Sequence, residues 1–232
     1  MAKGISTGCT LIDKTLGKGL PLGQLTLAYG ESNTGKTTLA IQSAVNSAKN
    51  GLKTIFIDSD NSFSANRLSQ IAYPNVSTIS QFIFVLKPHS FYEQSILIEN
   101  LNNYLTRDVV LIVVDTITSL YRVELGPVYK AFSLNRELNR QLAYLGELVK
   151  THNVAILVLS QVHSIVQKIE LKKLTEPVAT RVLKFWSQNI LCLENTLQPS
   201  VKEVILEKGL NTSEIGSSHH YILNKRGIVG TD

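Results

Sequence analysis

The stretch that most constrains this chain is residues 30–37, which read Gly-Glu-Ser-Asn-Thr-Gly-Lys-Thr. Apolar residues alternate before it at Leu25, Leu27 and Tyr29, which predicts a strand, and a helix-prone segment follows at residues 38–41. A G-x-x-x-x-G-K-T turn between a strand and a helix lets successive backbone N–H groups converge on phosphate oxygens at the helix N-terminus. The sequence therefore predicts a nucleoside triphosphate site; the alternative is a glycine turn that binds nothing.

Two side chains of this segment suit a triphosphate with its magnesium ion. Lys36 is expected to reach the β- and γ-phosphates, because its ammonium group lies at the start of the helix. The Thr37 hydroxyl is expected to be a ligand of Mg²⁺, which prefers oxygen donors. We expect no metal other than the ion that accompanies the nucleotide.

The composition fits one α/β domain over residues 1–232, since 44% of the residues are apolar and 18% are charged. The net charge of +5 permits a polyanionic partner but does not require one. Cys9 and Cys192 form no C-x-x-C pair, which favours reduced thiols and a cytoplasmic location. No apolar run approaches the roughly 20 residues that a membrane span needs, so no membrane partner is expected.

Strands and helices are predicted to alternate up to residue 161, which indicates an α/β fold with a mainly parallel sheet and helices on both faces. The expected strands of this part are residues 53–57, 82–86, 109–114 and 154–159. The expected helices are residues 10–15, 36–49, 93–105 and 133–151. Beyond residue 185, three short strand candidates predict an antiparallel C-terminal extension of the same sheet, at residues 189–194, 201–207 and 219–223.

Polar side chains follow several predicted strands, where ligands of such sheets bind. Asp115 ends an apolar run and is predicted to hold Mg²⁺ through water. Asp60 is the candidate to orient or deprotonate an attacking water, although Asp58 could do so too and either could merely cap a turn. Gln161 is placed to sense the γ-phosphate, unless it is only a polar strand end.

Two segments are predicted to be surface loops near the nucleotide, at residues 121–127 and 163–181. Basic side chains there would supply salt-sensitive contacts to nucleic-acid phosphates, although a solvated lysine-bearing loop would look similar. The basic residues of the second segment are Lys168, Lys172, Lys173 and Arg181.

The motifs taken together resemble the RecA-like recombinase family, and within it most nearly the archaeal RadA and RadB proteins. The resemblance is collinear and covers residues 4–230. Its main motifs are residues 30–38, 57–63 (Ile-Asp-Ser-Asp-Asn-Ser-Phe), 114–124 (Val-Asp-Thr-Ile-Thr-Ser-Leu-Tyr-Arg-Val-Glu) and 159–162 (Leu-Ser-Gln-Val). Residues 91–94, 134–141, 152–155, 186–187 and 224–228 add to the likeness with RadB.

The resemblance implies a RecA-like P-loop ATPase core that uses ATP and Mg²⁺ in homologous recombination and DNA repair. It implies single-stranded DNA as a partner, bound by the two loops, and permits a RecA-family recombinase and self-association. It implies that Arg67 packs against adenine and that Gln161 senses the γ-phosphate. The implied nucleotide-binding residues are Gly30, Glu31, Ser32, Asn33, Thr34, Gly35, Lys36, Thr37, Thr38, Arg67 and Asp115. The implied catalytic residues are Asp60, Lys36 and Gln161.

Several departures from the family pattern point to an accessory paralogue. Asp60 stands where recombinases carry a glutamate, and a carboxylate set back by about 1 Å can lower a rate about 10²-fold, so hydrolysis is expected to be weak. We expect no helix-hairpin-helix domain before Gly4, and the sequence has no Phe-x-x-Ala subunit tether. Residues 206–209 (Leu-Glu-Lys-Gly) lack the several basic residues that related ATPases often carry there. The alternative is a KaiC-type regulatory ATPase that acts through protein partners without DNA.

Overall fold

The computed structural model describes residues 4–125, 128–165 and 174–231. These residues form two short 3₁₀ helices, Leu101–Tyr104 and Thr212–Glu214, besides the strands and α-helices. The strands are β1 (Gly4–Ile5), β2 (Leu20–Pro21), β3 (Leu25–Gly30), β4 (Lys53–Asp58), β5 (Ile83–Leu86), β6 (Val109–Asp115), β7 (Ala155–Ile165), β8 (Leu174–Pro177), β9 (Asn189–Asn195), β10 (Val201–Lys208), β11 (Ser218–Asn224) and β12 (Gly227–Gly230). The α-helices are α1 (Thr10–Thr15), α2 (Lys36–Lys49), α3 (Ala65–Ala72), α4 (Val76–Ser80), α5 (Phe91–Glu99), α6 (Ser119–Glu124), α7 (Val128–His152) and α8 (Thr180–Trp186).

One sheet runs through the molecule in the strand order β12-β11-β10-β9-β3-β7-β6-β4-β5, and β8 pairs with the end of β7. Neighbouring strands from β9 to β5 are parallel, whereas β9 to β12 pair in antiparallel fashion. The predicted mainly parallel sheet with an antiparallel C-terminal extension is therefore confirmed. One detail differs, because β9 lies parallel to β3 and only the strands after it reverse direction.

Apolar side chains fill both faces of this sheet. On β6, Leu111 and Val113 face the core that α1, α2 and α3 cover, whereas Ile112 and Val114 face the core under α5, α6, α7 and α8. A strand covered on both faces has no polar position along its length, which explains the unbroken apolar run of β6.

The long helix α7 carries the predicted apolar stripe. Leu138, Leu142, Leu145 and Val149 are buried against the sheet, and Leu134 is partly buried beside them. Their spacing of three to four residues places them on one side of the helix, so tertiary packing stabilises the element where the sequence predicts it.

Three predicted elements differ from the structure. The described parts of the loop expected at residues 163–181 include the end of β7, the strand β8 and the start of α8, which carries Arg181. The helix expected at residues 93–105 is α5 followed by a 3₁₀ turn; it begins earlier because the Ser90 hydroxyl accepts a hydrogen bond from the Glu93 N–H and caps it. Residues 121–124, expected in a loop, belong to α6. This helix forms because Tyr121 is buried, with its ring 5.8 Å from that of Phe91.

The remaining part of that first predicted loop, residues 126–127, lies outside the described residues. Among the helices that the structure describes, none is both long and apolar enough to cross a membrane.

Candidate nucleotide-binding site

A cleft of about 440 Å³ opens at the carboxyl ends of the parallel strands, where β3, β4, β6 and β7 finish. This is the edge at which ligands bind to open α/β sheets. It brings together residues from five separate stretches of chain. The lining residues are Ser32, Asn33, Gly35, Lys36, Thr37, Thr38, Asp60, Ser62, Asp115, Thr116, Gln161 and Leu223.

The loop between β3 and α2 has a shape that glycine permits. Gly35 precedes the first helical residue with φ of +92°, a conformation that side chains with a Cβ rarely adopt. A Cβ on Gly30 would lie 2.0 Å from the carbonyl oxygen of Leu193, so β9 approaches the loop closely from the other side. The two glycines of the motif are therefore required by the backbone path and by packing, as the pattern predicts.

The Lys36 side chain lies inside this loop and is 8% exposed. Its Nζ donates to the carbonyl oxygens of Gly30 at 2.8 Å and Glu31 at 2.6 Å. Burial lowers the pKa of Lys36, and the charges of Asp115 and Asp60 oppose that shift. Its hydrogen-bond partners are neutral oxygens, so the ammonium group has no directly bonded carboxylate and suits an anionic ligand.

Three oxygen-bearing side chains form a connected set beside Lys36. The Ser62 hydroxyl donates to Asp115 Oδ2 at 3.0 Å and lies 3.4 Å from Thr37 Oγ1. Burial raises the pKa of Asp115 to about 6, and hydrogen bonds from the Thr37 and Ser62 hydroxyls act against that rise. Two hydroxyls and one carboxylate match the ligands of Mg²⁺, which takes few carboxylates together with phosphate and water oxygens.

The other two aspartates, between which sequence reasoning could not decide, differ in their surroundings. Asp58 is buried, and its carboxylate accepts hydrogen bonds from the N–H groups of Ser62 at 2.8 Å and Phe63 at 3.2 Å. It also forms an ion pair with Lys87 at 3.4 Å. Asp58 therefore caps the turn after β4, whereas Asp60 lines the cleft.

A chain of hydrogen bonds leads from Asp60 away from the cleft. Gln161 Nε2 donates to Asp60 Oδ2 at 3.1 Å, and the Arg122 guanidinium of α6 donates to Gln161 Oε1. Partial burial and the nearby Asp58 raise the pKa of Asp60, while the bond from Gln161 lowers it. A second cavity of about 550 Å³ on the far side of Asp60 and Gln161 is lined in part by Arg122 and His89.

The remaining predicted residues are placed less directly. Arg67 lies on α3, where its Nη1 donates to Gln70 Oε1 at 3.1 Å, and it is not among the residues that line the cleft. Its contact with adenine stays a prediction. Glu31 and Thr34 belong to the loop, where the Thr34 hydroxyl donates to the Glu31 carbonyl at 2.8 Å. Lys168, Lys172 and Lys173 lie outside the described residues.

Three lining residues were missed by sequence reasoning. Ser62 and Thr116 each lie close to a predicted aspartate, and a search for hydroxyl groups next to Asp60 and Asp115 would have found them. The Thr116 hydroxyl is buried without a hydrogen-bond partner. Leu223 gives no local signal, because β11 brings it to the cleft from the far end of the sequence.

The burial of Asp115 predicts a trade-off between stability and metal binding. The folded protein holds the Asp115 proton more tightly than the unfolded chain does, so this group increasingly disfavours folding as the pH rises from about 4 to about 6. We expect Asp115→Asn to raise the free energy of unfolding at pH 7.5 by up to about 3 kcal/mol and to leave it nearly unchanged at pH 4. Urea unfolding at the two pH values measures this.

If the cleft binds MgATP, the same variant should lose most of the increase in affinity that Mg²⁺ produces, because an amide cannot supply the negative charge. Fluorescence titration with and without Mg²⁺ checks this. An Asp115→Asn protein that was less stable at pH 7.5 and equally responsive to Mg²⁺ would contradict both statements.

Comparison with known proteins identifies the family. The Rad51 family profile matches residues 2–213. The DNA repair and recombination protein RadB of Methanosphaera stadtmanae is 34% identical over 220 residues, which are 94% of this chain and 92% of that protein. RadB of Thermococcus gammatolerans is 34% identical over 228 residues, 97% of each chain.

A solved structure described as the crystal structure of the RadB recombinase superposes with a TM-score of 0.83 at 32% identity, covering 98% of this chain and 100% of that one. This agreement confirms the predicted RecA-like fold as well as the family resemblance. The chain therefore belongs to the Rad51 family of RecA-like recombinases, in which it is a RadB-like member.

Proposed function

We propose that this protein is an ATP-binding recombinase paralogue that assists homologous recombination and DNA repair. It binds single-stranded DNA, hydrolyses ATP slowly, and acts beside a full RecA-family recombinase rather than replacing it. Family membership supports the recombination role, because the RadB relatives are described as DNA repair and recombination proteins. ATPase activity is general in the Rad51 family and is likewise proposed here.

The observation that carries the proposal is the arrangement of polar groups in the cleft. Lys36 and the amide groups of its loop are suited to hold phosphate oxygens, because the loop opens at the N-terminus of α2. Thr37 and Asp115 are the residues that would hold Mg²⁺, with Ser62 between them. When bound, the ion would neutralise charge on the phosphates.

Asp60 is the group proposed to accept a proton from water or to orient that water. Its carboxylate lines the cleft and keeps one oxygen bonded to Gln161. A general base must lie within hydrogen-bond reach of the proton that it accepts, and an aspartate here reaches less far than a glutamate would. We therefore infer that the protein hydrolyses ATP slowly and that bound ATP mainly serves to change the binding of DNA.

The route by which nucleotide binding would affect DNA binding starts at Gln161. Its amide nitrogen donates a hydrogen bond to Asp60 on the side of the cleft, and its amide oxygen accepts one from Arg122 on the side of α6. A phosphate that drew the Gln161 amide towards the cleft would displace the oxygen atom that accepts the hydrogen bond from Arg122. A released arginine is a good phosphate ligand, because its guanidinium group is always charged and can form two parallel hydrogen bonds.

Retention of single-stranded DNA tests this proposal. We expect a gel shift at 50 mM salt that is stronger with ATP and falls steeply at 200 mM salt, as phosphate contacts require. Arg122→Ala should weaken retention several-fold and reduce the difference between the two nucleotide states. Arg107→Ala is the matched control, since this exposed arginine precedes β6 at the opposite end of the strand from α6.

The alternative of a KaiC-type regulatory ATPase makes the opposite prediction. Such a protein would bind ATP in the same cleft but would not retain DNA at low salt in either nucleotide state. Membership of the Rad51 family favours recombination, and absence of a gel shift at 50 mM salt would overturn that choice.

A further inference from the structure

The C-terminal extension of the sheet contacts the phosphate loop, defined here as residues 30–37, at two hydrogen-bonding positions. Tyr221 of β11 donates its hydroxyl proton to the backbone carbonyl oxygen of Thr34 at 2.6 Å. Asn195 at the end of β9 donates from Nδ2 to Glu31 Oε2 at 2.9 Å and to the Ser32 carbonyl oxygen at 3.4 Å. These partners lie more than 160 residues away in the sequence.

The Tyr221 bond is buried and well anchored. The side chain is fully buried, and its ring packs in the apolar core on the α1 and α2 face of the sheet. Burial raises the pKa of the Tyr221 phenol, so the hydroxyl keeps its proton and remains a donor. The carbonyl oxygen of Thr34 belongs to the residue just before Gly35, whose left-handed conformation sets the turn into α2.

The strands that carry these side chains are fixed to the helix that follows the loop. Gln42 of α2 holds the backbone of Ile228 on β12 by two bonds: its Oε1 accepts from the Ile228 N–H at 2.6 Å, and its Nε2 donates to the Ile228 carbonyl at 3.2 Å. Leu223, two residues after Tyr221, lies against Gly35 and lines the cleft. The extension is therefore joined to α2 by hydrogen bonds and packs against the loop at Gly35.

We propose that Tyr221, together with Asn195 at the mouth, positions the phosphate loop for the nucleotide. Tyr221 lines no part of the cleft and acts through the Thr34 carbonyl, so it is a positioning residue rather than a catalytic one. The inference rests on the proposed nucleotide site. Its physical basis is that amide groups organised before binding need no reorganisation when the phosphates arrive.

The hydroxyl can be tested separately from the ring. Tyr221→Phe keeps the packing and leaves the buried Thr34 carbonyl without its donor, which allows the loop to shift. We expect the Kd for MgATP to rise about tenfold at a temperature well below the melting transition. Amide hydrogen exchange of residues 31–37 without nucleotide should be faster than in the wild type, while exchange in β6 and α7 should be unchanged.

The control is Ser95→Ala, which likewise removes a buried hydroxyl group. The Ser95 hydroxyl makes two hydrogen bonds and lies on α5, away from the loop. This substitution should lower the melting temperature without changing the Kd. Asn195→Ala is a second test, because its side chain is exposed, and a rise of about threefold in Kd is expected. If Tyr221→Phe does not fold, Asn195→Ala decides the question.

The outcomes separate the two proposals. If the wild type does not bind MgATP, the proposed function is wrong. If the wild type binds MgATP, two results would overturn only the positioning role. In the first, Tyr221→Phe and Ser95→Ala change the Kd equally. In the second, folded Tyr221→Phe binds MgATP like the wild type and the amide exchange of the loop is unchanged. A selective rise in Kd with faster loop exchange supports it.

Discussion

Lys36→Ala is expected to weaken ATP binding by about 100-fold or more. The Lys36 ammonium group is buried inside the phosphate loop and donates hydrogen bonds to two backbone carbonyl oxygens. Hydrogen bonds to charged groups contribute about 1.5–3 kcal/mol each, so losing two such bonds to phosphate oxygens corresponds to about two to four powers of ten in Kd. Isothermal titration with MgATP measures the change.

The matched control is Lys49→Ala, because Lys49 lies exposed at the other end of the same helix. It removes the same charge from the chain and should leave the Kd within about twofold, since exposed charges beyond a Debye length are largely screened. A Lys36→Ala protein that bound MgATP as tightly as the Lys49→Ala protein would show that the ligand lies elsewhere and that the site is misassigned.

Asp60→Glu is expected to accelerate ATP hydrolysis by up to about 10²-fold. The longer side chain extends the carboxylate by about 1 Å towards the cleft, and a misplacement of that size can account for a loss of this order. The gain should appear in kcat with little change in the Kd for ATP, because Asp60 is proposed to act on water rather than to hold the phosphates. Phosphate release under saturating MgATP measures it.

Two further variants show whether Asp60 is the group concerned. Asp60→Asn should reduce the residual hydrolysis, whereas Asp58→Asn should mainly lower stability, since Asp58 caps the turn through two backbone N–H groups and pairs with Lys87. The proposal is wrong if the wild type already hydrolyses ATP at the rate of a full recombinase and loses that rate in Asp60→Asn.

Sequence reasoning was most successful where chemistry and chain path are local. The phosphate loop is continuous in sequence, so one motif specified β3, the left-handed turn at Gly35 and the start of α2. The apolar run of β6 likewise predicted a strand buried on both faces and Asp115 at its end. In each case neighbouring residues carry the whole signal, because turn geometry and strand burial depend on residues a few positions apart.

Short helices were harder to predict, because contacts elsewhere in the chain stabilise them. The α6 helix has only six residues and no side-chain cap, and isolated helices of that length are unstable in water. It forms because Tyr121 packs on Phe91 and bonds Asn135, and the Glu124 carboxylate accepts a hydrogen bond from the Phe91 N–H. The pattern of apolar residues within 119–124 could not predict this helix, because the contacts that stabilise it are with Phe91 and Asn135.

By itself, the sequence determined the phosphate loop, the positions of most strands and long helices of the α/β fold, and the family, because each of these depends on short motifs and local periodicity. Only the tertiary structure decided that Asp58 caps a turn while Asp60 lines the cleft, and that Arg122 is bonded to Gln161. Only the tertiary structure showed that Tyr221 donates a hydrogen bond to Thr34 of the phosphate loop, which lies 187 residues away in the sequence. The physical reason is that hydrogen bonds between distant strands depend on sheet order and register, which no local pattern of residues encodes.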